Sequence, residues 1–174
     1  MEKMELVKEV HAPKIYVAGA HRELERCSRV IEEVRELGYD VVLDWTASIR
    51  EFGGDQNDDR VLTERAKNAW ADIDAVIEAD IVLLLLPRTI TKGMHTELGA
   101  ALMWNRLRAR GGTNSDMTSY SFAATTNHKT ILASWEDEIA ARDEDLPLFV
   151  ACADNIFDRD VDALMCLHDI RDVR

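Results

Sequence analysis

Glycine and proline, which are abundant in many unstructured and fibrous proteins, are scarce in this sequence. It contains only 8 Gly and 3 Pro among 174 residues, whereas 47% of the residues are hydrophobic and 31% are charged. This composition excludes a collagen-like, low-complexity or disordered protein, because it supplies enough apolar surface for a packed core. At this length we expect one domain over residues 1–174, which includes a long loop at about 108–129.

Cysteine, positive charge and long apolar runs are also in short supply. The 3 cysteines form no CxxC pair and leave an odd count, which is typical of a reducing compartment. Asp plus Glu number 33 against 21 Lys plus Arg, and the net charge of −12 argues against nucleic acid or an anionic membrane as partner. The longest apolar run, 81–86, is too short to cross a bilayer. Residues 1–10 lack the apolar stretch of a signal peptide, so we expect a cytoplasmic protein.

The order of the predicted elements indicates an α/β fold. A strand at 14–18, an amphipathic helix ending near Gly38 and a strand at 39–43 make a βαβ unit, which implies a parallel sheet. Further helices are predicted at 59–78, about 95–107 and 158–170, and further strands at 81–86, 130–134 and 148–152. We therefore predict a doubly wound, five-stranded parallel sheet of the flavodoxin- or Rossmann-like type.

Apolar spacing also predicts which side of each helix is buried. The expected positions are Leu24, Cys27, Val30, Ile31, Val34 and Leu37 in the first helix, Leu62, Ala66, Ala69, Ile73 and Val76 in the second, and Val161, Leu164, Met165 and His168 in the last. Residues 46–58 are interpreted as a polar loop.

Polar segments are expected at the carboxyl ends of the strands, where open α/β sheets bind ligands. Glu97 is predicted in the first turn of its helix, where unpaired N–H groups favour an ionised carboxylate. Asp72 flanks the apolar stripe of the preceding helix, so burial can raise its pKa. Each residue also has an interpretation without function: Glu97 is a residue type common at helix N-termini, and Asp72 is a surface aspartate. The five histidines have no spacing typical of a metal site, and we expect neither a metal nor a cofactor.

Four segments of the sequence resemble the nucleoside 2-deoxyribosyltransferase superfamily, including its 2′-deoxynucleoside 5′-phosphate N-hydrolase branch. They are Lys14–Gly19, Gly53–Gln56, Asp72 placed eight residues before Asp80, and Gly93-x3-Glu97-Leu98-Gly99. Together these segments cover about residues 14–105, and the resemblance to the family does not extend beyond Trp104.

The resemblance implies a separate catalytic role for each of three side chains. Glu97 would attack C1′ of the sugar and displace the base, Asp72 would handle protons at the base, and Tyr16 would hydrogen-bond Glu97. The chemistry agrees, since breaking an N-glycosidic bond builds an oxocarbenium-like centre that a carboxylate stabilises, and the leaving base needs a proton. Family members are usually oligomers, so a homo-oligomer is expected as well.

The 5′ end of the sugar decides between the branches. The resemblance places Thr91 where transferases of free nucleosides typically carry an Asp, and it places Arg22 where the nucleotide hydrolases carry an Arg. Together with Gly19, Lys92 and Gly93, these residues are the expected substrate-binding set, and they favour a 5′-monophosphate. Ordinary surface charge is the alternative reading of Arg22 and Lys92.

The expected function is therefore cleavage of the N-glycosidic bond of a (deoxy)nucleoside or its 5′-monophosphate, as transferase or hydrolase. The expected partner is a small-molecule nucleoside or nucleotide. A non-catalytic nucleotide-binding or sensor module on the same fold is the alternative. An NAD-glycohydrolase-like enzyme is disfavoured because no GxGxxG follows the first strand. Trp45 is expected either to stack on a base or to pack beneath the loop.

Overall fold

The structure is a computed structural model, and it describes residues 12–51, 59–88, 92–110, 128–137 and 150–172. The strands are β1 (Lys14–Ala18), β2 (Asp40–Val41), β3 (Ile81–Leu85), β4 (Thr130–Ser134) and β5 (Asn155–Phe157). The helices are α1 (Leu24–Glu36), α2 (Trp45–Glu51), α3 (Asp59–Glu78), α4 (Lys92–Arg110) and α5 (Asp160–Asp172), with short 3-10 helices at His21–Glu23 and Val150–Cys152.

All five strands pair in parallel, in the order β2-β1-β3-β4-β5. The predicted α/β fold is confirmed, and the order is that of flavodoxin-like sheets. From β1 the chain goes to one side to form β2 and then to the other side to form β3. The topological switch point therefore lies between β1 and β3, where Tyr16 is in register with Val82. A ligand is expected at such a switch point, outside the carboxyl ends of the strands.

Both faces of the sheet are apolar, as a parallel sheet covered by helices requires. Because side chains alternate along a strand, Tyr16 and Val82 point to one face and Val17 and Leu83 to the other. The first face packs against α3 and α4 and is called the α3/α4 face. The second packs against α1 and α5 and is called the α1/α5 face.

Helix α1 follows the prediction closely. Its fully buried apolar residues are Cys27, Val30, Ile31 and Val34. Gly38 ends it with a φ of +82°, and the N–H groups of Gly38 and Tyr39 donate to the carbonyls of Arg35 and Val34. This is a Schellman motif, in which glycine supplies the left-handed residue.

The predicted buried sides of α3 and α5 are partly wrong. Ala66 and Ala69 are exposed, because the buried core of this face includes only the C-terminal end of α3, from Ala75 onwards. In α5, Met165 is 64% exposed, Val161 is 50% exposed and His168 is also exposed, whereas Ala163 and Leu167 are buried. An ion pair explains which side of α5 is buried, because Asp160, at the start of the helix, points inward to Arg26.

Several element boundaries also differ from the prediction. The segment expected to be a polar loop begins with helix α2, because the Asp44 carboxylate accepts hydrogen bonds from the backbone N–H groups of Thr46 and Ala47 and so caps it. Strand β5 lies at 155–157 rather than 148–152. The Asp154 carboxylate accepts the Ile131 N–H at 2.7 Å and starts the pairing there, and the apolar segment before it forms a 3-10 turn.

The strand after α1 is shorter than predicted, covering only Asp40–Val41. Helix α4 extends to Arg110, so the predicted loop at 108–129 begins later, and residues 111–127 lie outside the described residues. Within the described ranges, none of the helices is long and apolar enough to cross a membrane.

Candidate active site

A buried hydrogen bond joins the sheet to α4 on the α3/α4 face. The Tyr16 hydroxyl donates to Glu97 Oε1 at 3.0 Å. Tyr16 is fully buried in the middle of β1, and Glu97 is 9% exposed. The contact that the resemblance implies between these side chains is therefore present in the structure.

The position of Glu97 within α4 differs from the prediction. Helix α4 begins at Lys92, so Glu97 lies in its second turn and not in its first. The N–H groups without intrahelical partners belong to the first turn. The predicted stabilisation of an ionised Glu97 by the helix N-terminus is therefore wrong.

The second carboxylate oxygen of Glu97 is buried and, within the described part of the chain, has no hydrogen-bond partner. Burial raises the pKa of Glu97, the charge of Asp72 raises it further, and the Tyr16 hydrogen bond lowers it, with a net pKa of about 7. A buried acceptor without a partner costs free energy, so its retention calls for a reason beyond folding.

Asp72, on α3, completes a group of three side chains. It is half-buried, burial raises its pKa, and the Tyr16 hydroxyl lowers it. Burial and the charges of Glu97 and Asp72 raise the pKa of Tyr16, which therefore remains a protonated phenol. A phenol has one proton to donate, so it cannot serve both carboxylates at once. The structure thus brings Asp72 and Glu97 to one hydroxyl from two different helices.

The expected substrate-binding residues differ in exposure, and one of them lies outside the described residues. A Cβ at Gly19 would lie 2.4 Å from Cys27 Sγ, so this position after β1 admits no side chain unless the thiol shifts. Arg22 is exposed on the 3-10 helix His21–Glu23, and Lys92 and Gly93 are exposed at the start of α4. Thr91 lies outside the described residues, as does the segment 53–56. The binding roles of these residues stay predictions.

Trp45 packs against the core. Its indole N–H donates to the Val17 carbonyl at 2.8 Å, and its ring carbon lies 3.6 Å from where a Cβ of Gly19 would be. The half-buried ring contacts the apolar clusters of both faces. Of the two readings of Trp45, packing beneath the loop is the one that these contacts favour.

A cluster of buried charge was not predicted. Arg26, Asp160 and Ser134 are buried together near the carboxyl ends of the strands, with Glu23 beside them. Arg26 directly precedes the buried Cys27, which is the one local sign that it borders the core. Its partner Asp160 lies 134 residues away in sequence, so no spacing rule finds the pair.

In the part of the chain that the structure describes, His, Cys, Asp and Glu do not gather in a group of three that could hold a metal ion. Comparisons with protein-family models and with curated proteins found no match for this chain.

Proposed function

We propose that this chain cleaves the N-glycosidic bond of a (deoxy)nucleoside or its 5′-monophosphate, with Glu97 as the nucleophile. The observation that carries the proposal is the state of Glu97. One oxygen is held by Tyr16, and the other is buried with no partner among the described residues. A carboxylate fixed at one oxygen and unbonded at the other is suited to attack a carbon atom.

The proposed reaction uses the two carboxyl groups in sequence. Glu97 Oε2 forms a bond to C1′, the C1′–N bond breaks, and its electron pair goes to the base, which takes a proton from Asp72. Water or a second base then attacks C1′ and releases Glu97, while Asp72 takes back a proton from the attacking group. This is the double-displacement logic of retaining glycosidases.

The raised pKa values indicate that the two carboxyl groups hold one proton between them near neutral pH. Burial raises the pKa of both carboxyl groups, that of Glu97 to about 7, so the doubly ionised pair is disfavoured below that pH. Attack requires that the proton reside on Asp72 rather than on Glu97. The Tyr16 hydroxyl, which interacts with both, stabilises Glu97 in its ionised form by donating to it.

A 5′-monophosphate is the favoured substrate within this proposal. Lys92 and the N-terminus of α4 lie at the carboxyl edge of the sheet, on the helix that carries Glu97, and Arg22 lies after β1 at the same edge. Transfer to a second base and transfer to water remain open, and a cytoplasmic homo-oligomer stays a prediction.

The proposal is tested by base release from deoxynucleosides and deoxynucleoside 5′-monophosphates, followed by chromatography with and without an acceptor base. We expect Glu97→Gln to lower kcat/KM by roughly a thousandfold or more, as loss of a nucleophile does. Asp72→Asn is expected to lower it by about a hundredfold or more through loss of the proton donor. The matched control is Asp74→Asn, an exposed aspartate two residues along the same helix, which is expected to keep wild-type activity.

The same experiment distinguishes the sensor alternative. A sensor module would bind a nucleotide and release no base during prolonged incubation. Base release at the wild-type rate by Glu97→Gln would show that Glu97 is not the nucleophile.

A further inference from the structure

Arg26 is a buried cation whose hydrogen-bonding capacity is completely used. Its side chain is 5% exposed. It donates to the two carboxylate oxygens of Asp160 at 2.8 and 2.7 Å, to Glu23 Oε2 at 2.7 Å, and to the carbonyls of Leu86 at 2.9 Å and Ser134 at 3.2 Å. A guanidinium has five N–H groups, so each has an acceptor.

These acceptors come from separate segments at one edge of the sheet. Glu23 follows β1, Leu86 follows β3, Ser134 ends β4, and Asp160 begins α5. The carboxyl ends of parallel strands meet at this edge, where ligands bind. Arg26 therefore links four segments at this edge of the sheet to one another.

Glu23 carries this network to the backbone between β3 and α4. Its Oε2 accepts from Arg26, and its Oε1 accepts from the backbone N–H of Arg88 at 3.2 Å. The Arg88 side chain in turn donates to Asp137 at 3.1 Å. Since α4 begins at Lys92, four residues after Arg88, fixing the Arg88 backbone restricts where the helix can start.

The network lies apart from the side chains proposed for bond cleavage. The residue after Arg26, Cys27, packs on the α1/α5 face, whereas Tyr16 lies on the opposite face of the sheet. Helix α4 is anchored near Glu97 by Met94 and Leu98, which are buried in the α3/α4 core. Weakening the network is therefore expected to loosen the backbone at Arg88 and to leave Glu97 in place.

We infer that Glu23, held by Arg26, is a positioning residue that fixes the backbone at Arg88, just after β3, and thereby supports the binding of the substrate's anionic 5′ group at the start of α4. This inference rests on the proposed function and adds to it a residue that governs affinity without touching the substrate.

The test compares Glu23→Gln with wild type. Glutamine keeps the shape of the side chain, but with one acceptor oxygen and one donor NH2 group it cannot accept from both Arg26 and the Arg88 N–H. We expect KM for a deoxynucleoside 5′-monophosphate to rise about tenfold, which corresponds to the loss of one charged hydrogen bond. The KM for the deoxynucleoside and both kcat values should stay within about twofold, and the Arg88 amide should exchange its hydrogen faster. Glu25→Gln, at an exposed neighbouring position, is the control.

The outcomes separate the inference from the function on which it rests. A lower melting temperature with unchanged KM values would show a purely structural role and overturn the inference. An equal rise of KM for both substrates would overturn it as well, because that is general loosening. If wild type itself releases no base from any substrate, the proposed function fails first. Should the Gln variant not fold, Glu23→Asp keeps the charge near Arg26 and withdraws the carboxylate from Arg88, with the same expected split in KM.

Discussion

The two faces of the sheet hold their buried charges in opposite ways. On the α1/α5 side, every N–H of Arg26 has an acceptor, and Asp160 also accepts from the Ser134 hydroxyl at 2.7 Å. On the α3/α4 face, Glu97 receives one hydrogen bond from Tyr16 and has a second oxygen with no partner in the described residues. The first arrangement supports the fold, whereas the second costs stability and is explained by chemistry.

The sharpest way to break this comparison is to remove the cation of the satisfied network. Arg26→Met is expected to lower the free energy of unfolding by about 3 to 5 kcal/mol, because it leaves the Asp160 carboxylate buried without its main partner. Denaturant unfolding followed by circular dichroism measures the change.

A matched control exists on the same helix. Arg29 also approaches Asp160, with 3.7 Å between Nη2 and Oδ2, but its side chain is 55% exposed. Arg29→Met is expected to change stability by less than about 1 kcal/mol, as exposed ion pairs do. Equal losses in the two variants would contradict the view that burial and complete hydrogen bonding make Arg26 important.

Removing the unsatisfied charge of Glu97 should raise the free energy of unfolding rather than lower it. The pKa of Glu97 is raised from 4.5 to about 7, so between these pH values the folded protein holds a proton that the unfolded chain has lost. Stability therefore falls as pH rises through this window. Glu97→Gln lacks that loss and is expected to be more stable than wild type at pH 8.5, by an amount on the order of 3 kcal/mol.

The pH dependence supplies the control for this prediction. Below pH 4.5 the carboxyl group is protonated in both states, and the advantage of the Gln variant should largely disappear. Denaturant unfolding at both pH values measures the difference, with the exposed Glu25→Gln as a surface reference. A Gln variant less stable than wild type at pH 8.5 would show that the Glu97 carboxylate is not strained by its burial.

Local pattern was sufficient for most of the fold. The apolar run that forms β3 and the three- and four-residue spacing of Cys27, Val30 and Val34 are signals within one element, and both elements form as predicted. The prediction of α5 is wrong in its buried side, because Asp160 pairs with an arginine from a distant element and sets the helix rotation. Local spacing contains no information on such a pair.

The candidate site shows the same limit. Asp72 was predicted at the edge of the core with a raised pKa, and burial does raise it. For Glu97 the sequence indicated an ionised carboxylate at a helix start. Burial, and after it the charge of Asp72 on another helix, give it a raised pKa instead, and the earlier start of α4 puts it in the second turn. Electrostatics of this kind depends on which elements pack together, which a spacing rule does not specify.

The smallest expected effect comes from one member of the satisfied network. Ser134→Ala removes the hydroxyl that donates to Asp160 Oδ1, but Arg26 Nη2 still donates to the same oxygen at 2.7 Å. No acceptor is left without a partner, so the loss should be about 1 kcal/mol, the usual net value of a hydrogen bond. Adding Ser134→Ala to Arg26→Met should cost more than that, because the hydroxyl then becomes the principal remaining donor to Asp160 Oδ1. Strictly additive losses, measured by the same denaturant unfolding, would mean that the network acts as separate pairs and would weaken its contrast with the opposite face.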